Sequence, residues 1–515
     1  MSSSPRIRSI ALAAGLALLS VAAPGSAHEA TPPPCEEGAY LTLVAGSEKS
    51  IICSGDTWGT DFEFQGIPDG IGIAPGPSAG TIDVYVNHEE SHVPFQGEAD
   101  FQDASVSKLT IDGAGEVVAA EVAIPASQGF LRFCSAFMAG PSEGFSNYTF
   151  FTNEETNDVV PVPAGATYGS DPSVAPNRQA GYAVILDEAT GDFTHVPGLG
   201  RQNHENTVVI PGGWPQKIAL TTDDTFNAPS SQLYSYVFNS EAQLWGDGGS
   251  LWAFQVTATN EGNLEDPYDP FNGANDYGEI TVGDNWKGRF IRVPKDIARG
   301  VTGERPQDAL ENWSNANNVF QFIRLEDLAY DRNNPRIVYL ADTGERRARP
   351  DEEFPPEQQT GRLHRGPSTY NGPYPNGRIF EIVFNRDNPR RVDSFSILLN
   401  NDLGGYGNLT VMHQPDNMDT SENSLMVQED SGQAPSSRIW RYDLTAKTWS
   451  VVAQVNNQQW ESSGIVDASG WGFGEGAWIL DVQAHGSAFW VQHEHGTTTL
   501  KQEAGQLLIA WIPGS

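Results

Sequence analysis

The sequence predicts an all-β chain folded as a single large β-propeller, most simply six-bladed, with long loop insertions. Three observations carry this reading. Short runs of Val, Ile, Tyr, Phe and Trp recur along the whole chain between turn residues. Long amphipathic helical runs are absent, and 53 Gly and 34 Pro are spread rather than clustered. Three passages read as strand, turn, strand: "YAVILDEATGDFTHV" from Tyr182, "RIFEIVFNRDNPRRVDSFSIL" from Arg378 and "RIWRYDLTAKTWSVVAQV" from Arg438. A many-stranded antiparallel protein of this size must hide its sheet edges, and a ring of blades does so by radial repetition.

The N-terminus reads as a processing signal. Arg6 and Arg8 form a basic region, Ile10 to Ala23 is a short apolar run, and Gly25-Ser26-Ala27 offers small residues for cleavage before His28. Residues 1–27 are therefore a secretory signal peptide. Its apolar run is too short to span a membrane comfortably, and no later segment is long enough. The mature chain is expected to be secreted or periplasmic, and a monomer. Residues 28–60 read as an N-terminal segment and 61–515 as the propeller domain. Cys35 and Cys53 follow the signal closely, and an oxidising compartment favours a disulfide between them. It would close a loop of about twenty residues and contribute roughly 3 kcal/mol on a chain-entropy estimate. Cys134 is left over; it is either an inert buried thiol or a reactive or metal-bound thiolate.

A formal net charge of −36 argues against nucleic acid and anionic membrane as partners, since both are recognised by basic patches. It fits a solvated acidic surface or bound cations. The acids are not scattered evenly. Strand-like runs are followed or preceded by Asn87-His88-Glu89-Glu90, Asn153-Glu154-Glu155, Asn203-His204-Glu205, Asp223-Asp224, Glu326-Asp327, Asp416-Asn417 and Glu429-Asp430. Adjacent carboxylates repel, and burial disfavours both. Seven such places suggest strand ends that converge on a central channel, where carboxylates are stable around hard cations such as calcium. Asn260 to Arg305 and Arg346 to Pro375 are polar, strand-poor insertions over one face, either a lid or a disordered excursion. There is no nucleophile elbow and no phosphate-cradling glycine loop. His485, His493 and His495 lack the spacing of a zinc helix and read as strand and turn.

In chain order, "VYVNHEE", a cysteine before "TNEE", "LGRQNHENTVVI", "LTTDD", "RLEDLAYD" with "VYLADTG", and "QPDNMDTSENSLMVQED" resemble the PhoX-type alkaline phosphatases, from about Asp83 to Asp443. The resemblance implies a secreted propeller that uses ferric iron and calcium to hydrolyse phosphate esters. It implies Cys134 as the bridging thiolate, Glu154 or Glu155, Glu205 and Glu326 as iron ligands, and Asp416 with nearby acids for calcium. Glu89 is expected among the metal ligands, and the resemblance implies Arg324 as the phosphate-binding residue. The chain departs from the family pattern at the cysteine: "RFCSAFMAG" stands where Asn-Cys-Ala-Gly-Gly is usual, and the Thr-Pro-Trp-Gly-Thr-Trp stretch is missing. Two alternatives stay open. One is a metallohydrolase acting on phosphodiesters or phytate; the other is a non-catalytic, calcium-stabilised propeller that binds an extracellular partner.

Overall fold

In the computed structural model the residues described are 38–93, 100–225, 231–430, 436–492 and 498–515. The expected signal peptide, Cys35, His493 and His495 lie outside them. The chain is mostly strand, as the recurring β-type runs predict. Six strands form an inner layer: β1 (Pro68–Pro75), β2 (Phe133–Ala139), β3 (His204–Ile210), β4 (Leu325–Tyr330), β5 (Pro415–Thr420) and β6 (Glu461–Asp467). Each lies at the edge of its sheet. Each also packs beside the next in chain order, and β6 packs beside β1.

The arrangement is propeller-like but not six discrete blades. Among the described residues, four sheets of four or five strands are separate, beside three two-stranded pairs. The remaining sheet is near-closed and has ten strands, with β3 and β4 at its two ends. It is continuous because Trp286–Arg292 pairs with both Ser250–Thr259 and Arg391–Asn400, bridging what would otherwise be two units. Its core is aromatic: Phe395 lies 5.1 Å from Phe254, 5.0 Å from Phe320 and 5.4 Å from Phe380, centroid to centroid. Burying one such side chain contributes about 1.5–3 kcal/mol.

The N-terminal segment closes the ring. Leu41–Leu43 pairs with Thr448–Val455, and Ser47–Cys53 pairs with Thr498–Trp511, so early residues complete the last two sheets. Cys53 is disulfide-bonded and Cys134 is a free, buried cysteine. The first expected insertion is only partly one, because Trp286–Arg292 within it is a strand of the ten-stranded sheet. The rest of it touches the second insertion: Arg362 Nη1 donates to Asn275 O at 3.4 Å, and the rings of Tyr277 and Tyr374 meet edge to face at 5.2 Å. The first insertion leads into a helix, Pro306–Ala316, whose Pro306 sits where a missing N–H costs nothing.

Candidate metal centre

The site is built by one device repeated around the axis. Asp69, Cys134, Glu205, Glu326 and Asp416 are each the second residue of an inner strand, and Glu461 is the first residue of β6. At this end every inner strand pairs irregularly with its neighbour. Register shifts fall between Pro68/Ile71, Thr152/Glu154, His204/Thr207, Leu325/Leu328, Pro415/Met418 and Ser462/Ile465. A bulge takes a residue out of the ladder and re-aims its side chain. Asp69 needs a further concession. A Cβ on Gly70 would lie 2.2 Å from Ala136 N and 2.4 Å from Ser135 C, so only glycine lets β1 approach the Cys134 strand this closely.

The neighbouring strands add a second set. Their last residues are His88, Glu154, Asp223, Asp342 and Glu429, which face the first residues of β1 to β5 in the register. The carboxylates among them hold loops. Glu154 accepts from Arg178 at 2.6 and 2.7 Å, Leu131 N at 2.9 Å and Tyr182 N at 3.0 Å. Glu429 accepts from Arg438, His413 N and Trp440. The residues that follow turn the other way: Glu89, Glu155 and Asp430 line a cavity of about 370 Å³, and Asp224 receives the fork of Arg324 at 2.9 and 3.0 Å.

Four groups of ligand atoms, each within 4.8 Å of one another, run across this cavity: Asp69, Glu89 and Cys134; Cys134, Glu155 and Glu205; Glu205, Glu326 and Asp416; Asp416, Asp430 and Glu461. Consecutive groups share Cys134, Glu205 and Asp416, so they form a line. Cys134 Sγ donates to Asp69 Oδ2 at 3.3 Å. Asp69 also accepts from Ser463 Oγ at 3.0 Å and Gln483 Nε2 at 2.9 Å. Beneath them Ser135 Oγ donates to Glu205 Oε1 at 2.6 Å and accepts from Asn417 Nδ2 at 2.7 Å. Ser135 and Asn417 also line a second cavity, of about 350 Å³, at the opposite end of the inner strands.

The electrostatics are severe. Burial, reinforced by Glu89, pushes Asp69 up to about 7. Burial and then the surrounding acids push Cys134, Glu205, Glu326, Asp416 and Glu461 well above their ordinary ranges. Burial also raises Glu155, against the pull of Arg132. Glu89 is the exception: burial acts against its charge, but Arg132 and Gln483 together hold it down. Arg132 donates to Glu89 Oε1 at 2.6 Å and Glu155 Oε2 at 3.0 Å. Arg324 lies 2.9 Å from Glu326 Oε1. Glu205 Oε2 and Asp416 Oδ1 are buried without a hydrogen-bond partner among the described residues. An unpaired buried carboxylate costs several kcal/mol, and a cation shared along the line would offset that. The donor set thus fits metal ions.

Of the residues anticipated from sequence, Cys134, Glu155, Glu205, Glu326, Asp416, Glu89 and Arg324 come together. Glu154 does not: its oxygens are taken by Arg178 and by backbone N–H groups inside the sheet. Sequence reasoning missed Asp69, Glu461 and Arg132. Asp69 sits in "IPDGIG", which reads as a turn, and Glu461 is a single acid in "WESSG". Arg132 had a usable signal: Arg-x-Cys at 132–134 has the spacing of Arg-x-Glu at 324–326. His485 lines the cavity rim, 2.9 Å from Glu503 Oε2.

Fold and site define a class: a propeller-like protein with a buried thiol-and-carboxylate centre at one end of its axis. No protein-family model matches the chain, and no curated protein matches it. Among solved structures it is similar to PhoX of Pseudomonas fluorescens, determined in complex with vanadate, a transition-state analogue. The TM-score is 0.59 at 14% identity, covering 92% of this chain and 96% of that one. Identity this low shows a shared fold. The GH93 α-L-arabinofuranosidase of Fusarium graminearum aligns far less well, at TM-score 0.36 and 9% identity, covering 91% of this chain and 98% of that one.

Proposed function

We propose that this chain is an exported, PhoX-like metal-dependent phosphatase that hydrolyses small phosphate esters as a monomer. The observation that carries the proposal is the line of four ligand groups, with a thiol shared between two of them and an arginine fork at its edge. The groups containing Cys134 pair a soft sulfur with carboxylates and suit iron; the groups made of carboxylates alone suit calcium. When bound, such metals offset the charge of the ester and stabilise its transition state. The ring is counted as six-bladed, the ten-stranded sheet being two fused blades. Export follows from the N-terminal signal and is supported by disulfide-bonded Cys53.

The residues supply the rest. Arg324, held on Asp224 and Glu326, grips phosphate oxygens through its planar fork. Arg178, engaged by Glu154, stiffens the second sheet behind Glu155. Ser135 and Asn417 fix the orientation of Glu205. Glu205, Glu326, Asp416 and Asp224 are buried, so their interactions act in a surrounding of lower dielectric than bulk water. The test is hydrolysis of chromogenic phosphate monoesters and diesters, with and without chelator, joined to elemental analysis of protein purified without added metal. Iron and calcium with chelator-sensitive monoesterase activity are expected; a metal-free protein without activity overturns the proposal.

A further inference from the structure

We propose that Arg132 is a second phosphate-gripping residue, so that the substrate phosphoryl group is clamped between two guanidinium forks, Arg132 and Arg324. The proposal deepens the phosphatase reading and rests on it for the identity of the ester. Its basis is the internal repetition of the fold. Arg132 immediately precedes β2 and Arg324 immediately precedes β4. In each case the residue two positions on, Cys134 or Glu326, belongs to the line of ligand groups. The two arginines thus occupy the same place in two different turns of the ring.

Their surroundings match as well. Each is pinned by two carboxylates: Arg132 by Glu89 and Glu155, Arg324 by Asp224 and Glu326. Pinning fixes the plane of each fork before a ligand arrives, which lowers the entropic cost of binding. Arg132 then keeps a donor in reserve. Its Nε and Nη2 are engaged, while Nη1 makes no hydrogen bond to any described residue. The side chain is 38% exposed and lines the same cavity as Arg324. Its backbone, at φ 46°, is held by hydrogen bonds from Arg132 N to Glu90 O and from Glu155 N to Arg132 O, both at 2.9 Å. The other ionisable residues lining this cavity are His485, the Cys134 thiol and acids. An incoming phosphate dianion therefore meets only these two fixed positive charges among the arginine and lysine side chains described there.

Two forks also imply a preference. A terminal phosphate monoester presents three non-bridging oxygens and a diester only two, so a double clamp favours the monoester. The test uses inorganic phosphate as the probe, titrated calorimetrically into the metal-loaded protein as purified, with Arg132→Gln and Arg132→Lys beside wild type. Arg132→Lys keeps a charge against Glu89 and Glu155 but loses the fork. Both variants should bind phosphate at least ten-fold more weakly, with metal content retained in Arg132→Lys. Both should raise KM for a monoester more than they lower kcat, and narrow the preference over a diester. Phosphate affinity equal to wild type in a metal-replete variant overturns the clamp. So does loss of metal from both variants, which makes Arg132 a structural counter-ion. A wild-type protein that binds phosphate through Arg132 yet turns over no ester defeats the phosphatase reading and leaves the clamp standing. A wild-type protein that binds no phosphate defeats the clamp.

Discussion

Cys134 Sγ lies 3.3 Å from Asp69 Oδ2, although 65 residues separate them in the chain. The contact joins the second residues of two adjacent inner strands and starts the line of ligand groups. A thiol this close to a buried acid is raised well above its ordinary range, first by burial and then by Asp69 itself. The thiol therefore holds its proton, which a bound cation would displace.

Cys134→Ala should therefore lose metal and activity together while remaining folded. Alanine removes the donor shared by two groups but leaves a small buried side chain in the strand. Elemental analysis and monoester hydrolysis check this; full activity in a metal-replete variant counts against a ligand role for the sulfur.

Removing metal should cost more stability at pH 8 than at pH 6. Asp69 is raised to about 7, and Cys134, Glu155, Glu205, Glu326, Asp416 and Glu461 are raised as well. A raised acid binds its proton more tightly in the folded state than in the unfolded one. Metal-free stability is therefore retained at low pH and lost as pH rises through the folded-state pKa. Bound cations replace those protons, so the gap in melting temperature between loaded and stripped protein should widen with pH. Calorimetry at the two pH values measures it; a gap that narrows refutes the assignment.

Two adjacent glutamates should behave oppositely. Glu154→Gln leaves Arg178 buried without its partner and should destabilise the fold by about 3–5 kcal/mol, with metal still bound in the folded fraction. Glu155→Gln should change stability less and deplete metal. Denaturant melts beside elemental analysis separate the two effects.

Gly70→Ala should damage both fold and site. The added Cβ would meet backbone atoms of residues 134–136 at 2.2–2.6 Å, which no side-chain rotation relieves. A destabilisation of about 1–3 kcal/mol is expected, typical of overpacking. Weakened metal retention should accompany it, because Asp69 and Cys134 are forced apart.

The all-β character was legible residue by residue, because period-2 alternation and turn chemistry are local properties. Much of the site was legible too. Glu205, Glu326 and Asp416 open strands, and Glu89 and Glu155 follow them, places where an acid is conspicuous. The choice between Glu154 and Glu155 was not legible. Side chains alternate across a strand, and only the pairing with β2 and the position of Arg178 decide which one faces inward.

The sequence by itself determined that this chain forms many short strands with acids at their ends, because both follow from the order of neighbouring residues. Only the tertiary structure brings Asp69 and Glu461 to those acids, places Arg132 and Arg324 on one cavity, and fuses two units into one ten-stranded sheet. These are relations between residues tens to hundreds of positions apart. They are set by strand register, bulges and close packing, which no local pattern encodes.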